Sequence, residues 1–201
     1  MTGLHGVFPT RRHDNMLRDM SMQRGVTLIE CMVVLAILSI LLGLAAPLFQ
    51  EIIKRYRVRV AAEALSSSLY LARSEAIKRS GRVVMRKTAL PGCPGALVAG
   101  RWECGWQLFV DANGNSILDA DEVLLHEVGL QADVVITRGP ATNVKAFNQW
   151  GHVAGLGTFN FLVWPRQDAQ AQPPHHANAM LLCMSAGGRL RVVKGQAPPC
   201  A

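Results

Sequence analysis

From Cys31 to Phe49 the chain carries no charged side chain, and nearly every residue is apolar. Wound as a helix, a stretch of that length crosses the hydrocarbon core of one bilayer. After Pro47 the pattern changes from continuous to periodic. Val60, Ala61, Ala64, Leu65, Ser68, Leu69, Ala72 and Ala76 recur at helical spacing as a stripe of small residues, while Arg55, Arg59, Glu63, Ser66 and Arg73 fall largely on other faces. This predicts one continuous helix over about residues 26–79, closed by Ser80-Gly81 as a C-cap. Its first half suits lipid or a bundle of like helices, and its second half packs the stripe on a folded domain. From Arg82 onward the signals are β. Short strands are expected at 83–87, 106–111, 123–128, 134–137, 146–150, 158–164, 180–185 and 190–194, most of them separated by glycine, proline or asparagine. Residues 167–178 are polar and contain Pro173-Pro174-His175-His176, which reads as a surface loop.

Charge refines this picture. The formal net charge is +7, and four arginines (Arg11, Arg12, Arg18, Arg24) precede the apolar run. They should hold its N-terminus in the cytoplasm, so that the rest of the chain is exported. A secretory signal peptide is the competing reading. Its best cleavage site, Gly43-Leu44-Ala45, lies inside the apolar run rather than after it, which favours a retained span. Without the first 25 residues the net charge is about +5, an excess that suits polyanions or acidic lipid heads. Lys54, Arg55, Arg57 and Arg59 form a basic cluster that reads as lipid-binding, DNA-binding or simply a solvated face. Glu30 is out of place for a plain anchor. A carboxylate at the edge of hydrocarbon is paired, functional or held at head-group level.

Arg24-Gly25-Val26-Thr27-Leu28-Ile29-Glu30, followed at once by the apolar run, resembles the prepilin signature of type IV pilins and type II secretion pseudopilins. The resemblance implies that a membrane peptidase cuts between Gly25 and Val26 and methylates the new amine of Val26. The usual first residue of the family is phenylalanine, and Val26 departs from it. The leader is long, and Met16, Met20 and Met22 are alternative starts. In a helical assembly Glu30 of one subunit would meet the amine of a neighbour, two charges neutralising each other in lipid. Pro47 falls where pilins carry a helix-kinking proline. Downstream, Ala72-Arg73-Ser74-Glu75-Ala76-Ile77-Lys78-Arg79, then Gly105-Trp106 through Asn113-Gly114, then Gly188-Arg189-Leu190-Arg191 resemble the GspH/FimT group of minor pilins and pseudopilins. The resemblance implies an α+β, pilin-like fold: a long N-terminal helix, transmembrane in its first half, packed on a C-terminal antiparallel β-rich head. The organisation expected is a leader over 1–25, a helix over 26–79 with its membrane part at 26–49, and a head over 80–201.

Five cysteines are present. Cys31 lies in the apolar run, and the other four allow three pairings. Proximity favours Cys93 with Cys104 and Cys183 with Cys200, against buried free thiols as the alternative. Asp111, Asn113, Asn115, Asp119 and Glu122 match the spacing of a calcium loop, but Ser116 stands where that loop has glycine and the flanks read as strands, so a plain hairpin loop competes. The chain has no nucleophile elbow, zinc-protease motif or phosphate loop, and His126-Glu127 point opposite ways on a strand. No enzyme and no cofactor are expected.

The resemblance implies a minor pilin that joins or primes a type IV pilus, or a pseudopilin of a type II secretion machine. The implied partners are other pilins or pseudopilins, the prepilin peptidase, an inner-membrane assembly platform and, before assembly, membrane lipid. The chain would pass once through the bacterial inner membrane with its head in the periplasm, then enter a pilus or pseudopilus. In FimT-like proteins the Gly-Arg-x-Arg motif is associated with DNA capture. Arg189 and Arg191 match it, with Lys194 nearby at the opposite strand parity. Double-stranded DNA is thus a further expected partner, against the alternative of solvated edge-strand charges.

Overall fold

The computed structural model describes residues 25–153, 157–168, 177–195 and 198–200. The leader up to Arg24 and the His175-His176 loop lie outside them. The chain divides into two units, Met1–Leu44 and Ala45–Ala201, and one helix, α1 (Leu28–Lys78), belongs to both.

In the first unit α1 begins at a side-chain cap. The Glu30 amide donates to Thr27 Oγ1 at 3.3 Å, and the Cys31 amide donates to the Thr27 carbonyl at 3.2 Å. Thr27 is therefore the N-cap, and the helix starts two residues later than Val26. Side chains 28–44 are exposed all the way round. The Ser39 hydroxyl donates to the Leu35 carbonyl at 2.7 Å, so this polar group is satisfied within the helix. A helix apolar on every side and packed on none of the described residues suits hydrocarbon or other helices.

In the second unit Val58, Ala61, Ala62, Leu65, Ser68, Leu69, Ala72 and Ala76 are buried. The expected stripe is corrected at one end. Val60 is 41% exposed, because at 100° per residue it lies roughly opposite Val58, which takes the buried place with Ala62. The Trp106 indole N–H donates to Ser68 Oγ at 2.9 Å, and Ser68 Oγ donates to the Ala64 carbonyl at 2.9 Å. Removing the hydroxyl leaves a buried N–H unpaired. Ser68→Ala is therefore expected to destabilise the head by about 1–3 kcal/mol. A thermal or urea midpoint that does not move would refute this.

The helix ends in a double turn: the Ser80 amide donates to the Ile77 carbonyl at 3.4 Å and the Gly81 amide to the Ala76 carbonyl at 2.7 Å. Ser80 (φ 58°), not Gly81, holds the left-handed cap position.

Eight strands follow: β1 (Val83–Lys87), β2 (Trp106–Val110), β3 (Leu124–Val128), β4 (Val134–Gly139), β5 (Val144–Phe147), β6 (Phe159–Pro165), β7 (Met180–Met184) and β8 (Leu190–Lys194). They form two four-stranded antiparallel sheets, ordered β3-β2-β1-β5 and β4-β6-β7-β8. The strand expected at 146–150 is displaced toward the N-terminus. Asn148 Oδ1 accepts the amides of Trp150 and His152 at 3.0 and 2.9 Å, which turns the chain just past Phe147. Alternation along the strands assigns the faces. Val83, Met85, Trp106, Leu108, Phe159, Phe161 and Val163 join the helix stripe in one core, while Leu162, Trp164 and Leu181 form a second cluster beside Cys183 and Cys200.

Candidate functional site

Glu30 is the single charged residue of 25–50, and both it and Val26 are exposed. The structure gives Glu30 a role that the sequence reading missed. It occupies the third helical position after Thr27, whose hydroxyl accepts the Glu30 amide, and so places its carboxylate at the positive end of the helix dipole. The signal was legible as a four-residue pattern. Pro47 lies within α1 and does not end it.

The basic cluster at 54–59 separates into distinct fates. Lys54 pairs with Glu51 at 2.9 Å and Arg57 with Asp133 at 3.1 Å. Arg55 Nε donates to Asn178 Oδ1 at 2.9 Å, and Asn178 Nδ2 donates to Glu51 Oε2 at 2.8 Å. These bonds, from Lys54 first and then Asn178, hold the Glu51 carboxyl below its ordinary range. Arg59 has no partner among the described residues.

Arg189 lies one residue before β8, its amide donating to Ser185 Oγ at 3.1 Å, and Arg191 lies within the strand opposite Cys183. The two arginines line one shallow pocket of about 260 Å³ with Thr158, Cys183, Met184, Ser185 and Cys200. Lys194 is not part of it. It lines a different pocket with Arg55 and Arg59, so the three basic residues expected together are divided between two places. Gly188 is tied to the helix: Arg73 Nη1 donates to its carbonyl at 2.9 Å.

Cys93 is bonded to Cys104 and Cys183 to Cys200, while Cys31 is free and exposed. The first disulfide closes a loop that buried Lys87 also gathers, its Nζ donating to the carbonyls of Gly95, Ala96 and Val98 at 3.2, 3.0 and 2.6 Å. Burial lowers the Lys87 pKa, with Glu103 opposing the shift. Arg138 and Lys145 approach the Phe159 ring at 5.1 and 5.2 Å. Burial brings Arg138 to about 10 and lowers Lys145, with Arg138 adding to the second shift.

The loop at 111–122 is held by its own side chains. Asp111 accepts the amides of Gly114 and Ser116 at 2.8 and 3.0 Å, and Glu122 accepts those of Ala112 and Asp119 at 2.7 and 3.2 Å. Asn113 Oδ1 and Asn115 Oδ1 accept the amides of Asn115 and Ile117, while their Nδ2 groups donate to Asp119 Oδ2 at 2.7 and 2.8 Å. Asp111, Asn113, Asn115 and Glu122 thus accept backbone amides of the loop, and Asp119 accepts two of its side-chain amides. Ser116 (φ 60°) takes the left-handed turn at the position where a calcium loop has glycine. Among the described residues no three His, Cys, Asp or Glu side chains converge as a metal site.

A long apolar helix entering a disulfide-bonded antiparallel head defines a pilin-like protein of the minor pilin and pseudopilin class. Residues 61–188 match the family model of the type II transport protein GspH, and residues 20–46 match the prokaryotic N-terminal methylation motif. The chain belongs to the GspH family. It is 38% identical over 100 residues to the pilin-like protein PilA1 of Thermus thermophilus, an alignment spanning 50% of this chain and 56% of that relative. The crystal structure of the type IV minor pilin FimU from Pseudomonas aeruginosa superposes with a TM-score of 0.51 at 19% identity, covering 72% of this chain and 95% of that one. The pilin fold is shared. Pilins and pseudopilins are structural proteins, and the apolar helix with its methylation motif marks this chain for membrane anchoring and assembly.

Proposed function

We propose that this chain is a minor pilin that primes or joins a type IV pilus. Its leader, residues 1–25, is removed between Gly25 and Val26, and Val26 is then N-methylated. The carrying observation is the helix surface over residues 28–44, apolar and exposed on every side with one carboxylate at its start. Such a surface is stable only in lipid or among identical helices. In the assembly Glu30 neutralises a neighbour's Val26 amine, which fixes the register of insertion. Before assembly the chain sits in the inner membrane with its head in the periplasm, and it is handed to the other pilins by the assembly platform. A pseudopilin of a type II secretion machine uses the same physics and is the alternative role. Mass spectrometry of the membrane-extracted protein tests the processing. The expected N-terminus is methylated Val26. An intact leader, or a start beyond Ala45, overturns the proposal.

A second reading is supported by the shared pocket of Arg189 and Arg191. Two exposed guanidinium groups there bracket DNA phosphates. Arg189→Ala with Arg191→Ala is expected to lower duplex affinity and to flatten the dependence of log K on log salt by about 1.8. An unchanged slope would place DNA binding elsewhere or nowhere.

A further inference from the structure

The head carries four tryptophans, and one of them does not serve its core. Trp102, Trp106 and Trp164 are buried, whereas Trp150 is 67% exposed. The turn after β5 builds this exposure in. Asn148 Oδ1 accepts the Trp150 and His152 amides at 3.0 and 2.9 Å, and the Gly151 amide donates to the Asn148 carbonyl at 2.9 Å. Gly151 (φ 68°) is seated against α1, where a β-carbon would come within 2.7 Å of Arg73 Cγ and 2.9 Å of Ile77 Cδ1. A turn closed by its own side chain and seated on a helix holds the neighbouring ring at a defined place on the surface. Covering that ring with a ligand therefore costs little ordering entropy.

The place adjoins the two arginines of the Gly-Arg-x-Arg motif. The Gly151 carbonyl oxygen lies 2.8 Å from where a β-carbon of Gly188 would stand, and Arg73 Nη1 donates to the Gly188 carbonyl at 2.9 Å. The Val153 amide donates to the Ala186 carbonyl at 3.2 Å, so the turn after β5 runs beside the turn between β7 and β8. Trp150 and Arg189 each stand one residue from the contact of these two glycines, and both are exposed. An aromatic face beside guanidinium groups is the combination that holds a single nucleic-acid strand: the cations follow the phosphates and the ring takes a base. In a duplex the base faces are already stacked on one another, so only an unpaired base offers a face to the indole. We propose that the head prefers single-stranded DNA, with one base stacked on Trp150 while Arg189 and Arg191 hold the adjoining phosphates. The inference rests on the second reading above, which concerns the arginines alone, and adds the residue that selects the form of the strand.

The test uses the full chain in detergent, titrated with oligothymidylate of about ten nucleotides and with a duplex of equal length. Tighter binding of the single strand is expected. Quenching of tryptophan emission should accompany it, and this reports Trp150 because the other three indoles are buried. Trp150→Ala should lose about tenfold of the single-strand affinity while keeping the duplex affinity and the melting temperature. Trp150→Phe should recover most of that loss, since a smaller aromatic face still stacks. Arg189→Ala with Arg191→Ala should weaken both forms. Duplex binding that the arginine variants weaken, with no preference for the single strand or no effect of Trp150→Ala on it, overturns this inference and leaves the arginine reading standing. Absence of binding to either form overturns both. Single-strand binding that survives in Trp150→Ala while that variant is missing from sheared filaments would make the ring a contact between pilins, which also overturns the inference.

Discussion

A chain carrying Glu30→Leu is expected to be cleaved and inserted normally, yet to be missing from sheared filaments. In the proposed processing, cleavage creates the charge on Val26 and methylation keeps it. In the membrane that amine sits at the interface, where water compensates it. In a filament it is surrounded by neighbouring apolar helices, and an unpaired charge there costs about 3–5 kcal/mol. That is about two to four orders of magnitude in incorporation. Glu30 has a second role as the acidic residue of the first helical turn, facing the positive end of the helix dipole, and Leu removes both. Glu30→Gln keeps the size and hydrogen-bonding polarity of the side chain but not the charge, and it leaves the Thr27 cap in place. The two variants are expected to be equally absent from filaments while remaining in the membrane fraction, as read by immunoblot. Normal assembly of Glu30→Gln would defeat the charge-pairing mechanism.

Much of the fold is written in local periodicity. The apolar run from Cys31, the small-residue stripe and the alternating strands place α1 and most strands to within two residues, because each reports a single face turned toward one kind of surroundings. Most of what was not legible depends on partners distant in sequence. Val60 and Val58 are equally apolar, and only the direction from which the sheets approach decides which is buried. The end of β5 is set by the Asn148 side chain folding onto its own backbone, a local bond that competes with the ladder. The separation of Lys194 from Arg189 and Arg191 follows from α1 passing beside the end of β8, a contact that strand parity hints at but does not supply. The buried Lys87 looks in sequence like one more surface cation at a strand end. Its three carbonyl partners come from a loop whose path is fixed by the Cys93–Cys104 bond.

The same distinction divides the Gly-Arg-x-Arg motif into a structural glycine and two surface arginines. Gly188→Val is expected to destabilise the head by about 3 kcal/mol or more, whereas Arg189→Ala and Arg191→Ala should each stay within about 0.5 kcal/mol. Gly188 has φ 80°, and a β-carbon there would come within 2.8 Å of the Gly151 carbonyl oxygen and 3.0 Å of Arg73 Nε. The left-handed backbone alone disfavours a branched side chain by roughly 1–2 kcal/mol. The crowding falls on backbone, which cannot rotate away, and on the guanidinium that α1 contributes. Displacing Arg73 breaks its bond to the Gly188 carbonyl and loosens the helix from the turn between β7 and β8. Chemical denaturation of the three variants measures the difference. A Gly188→Val midpoint equal to that of the arginine variants would mean that the helix and this turn are not held together as described.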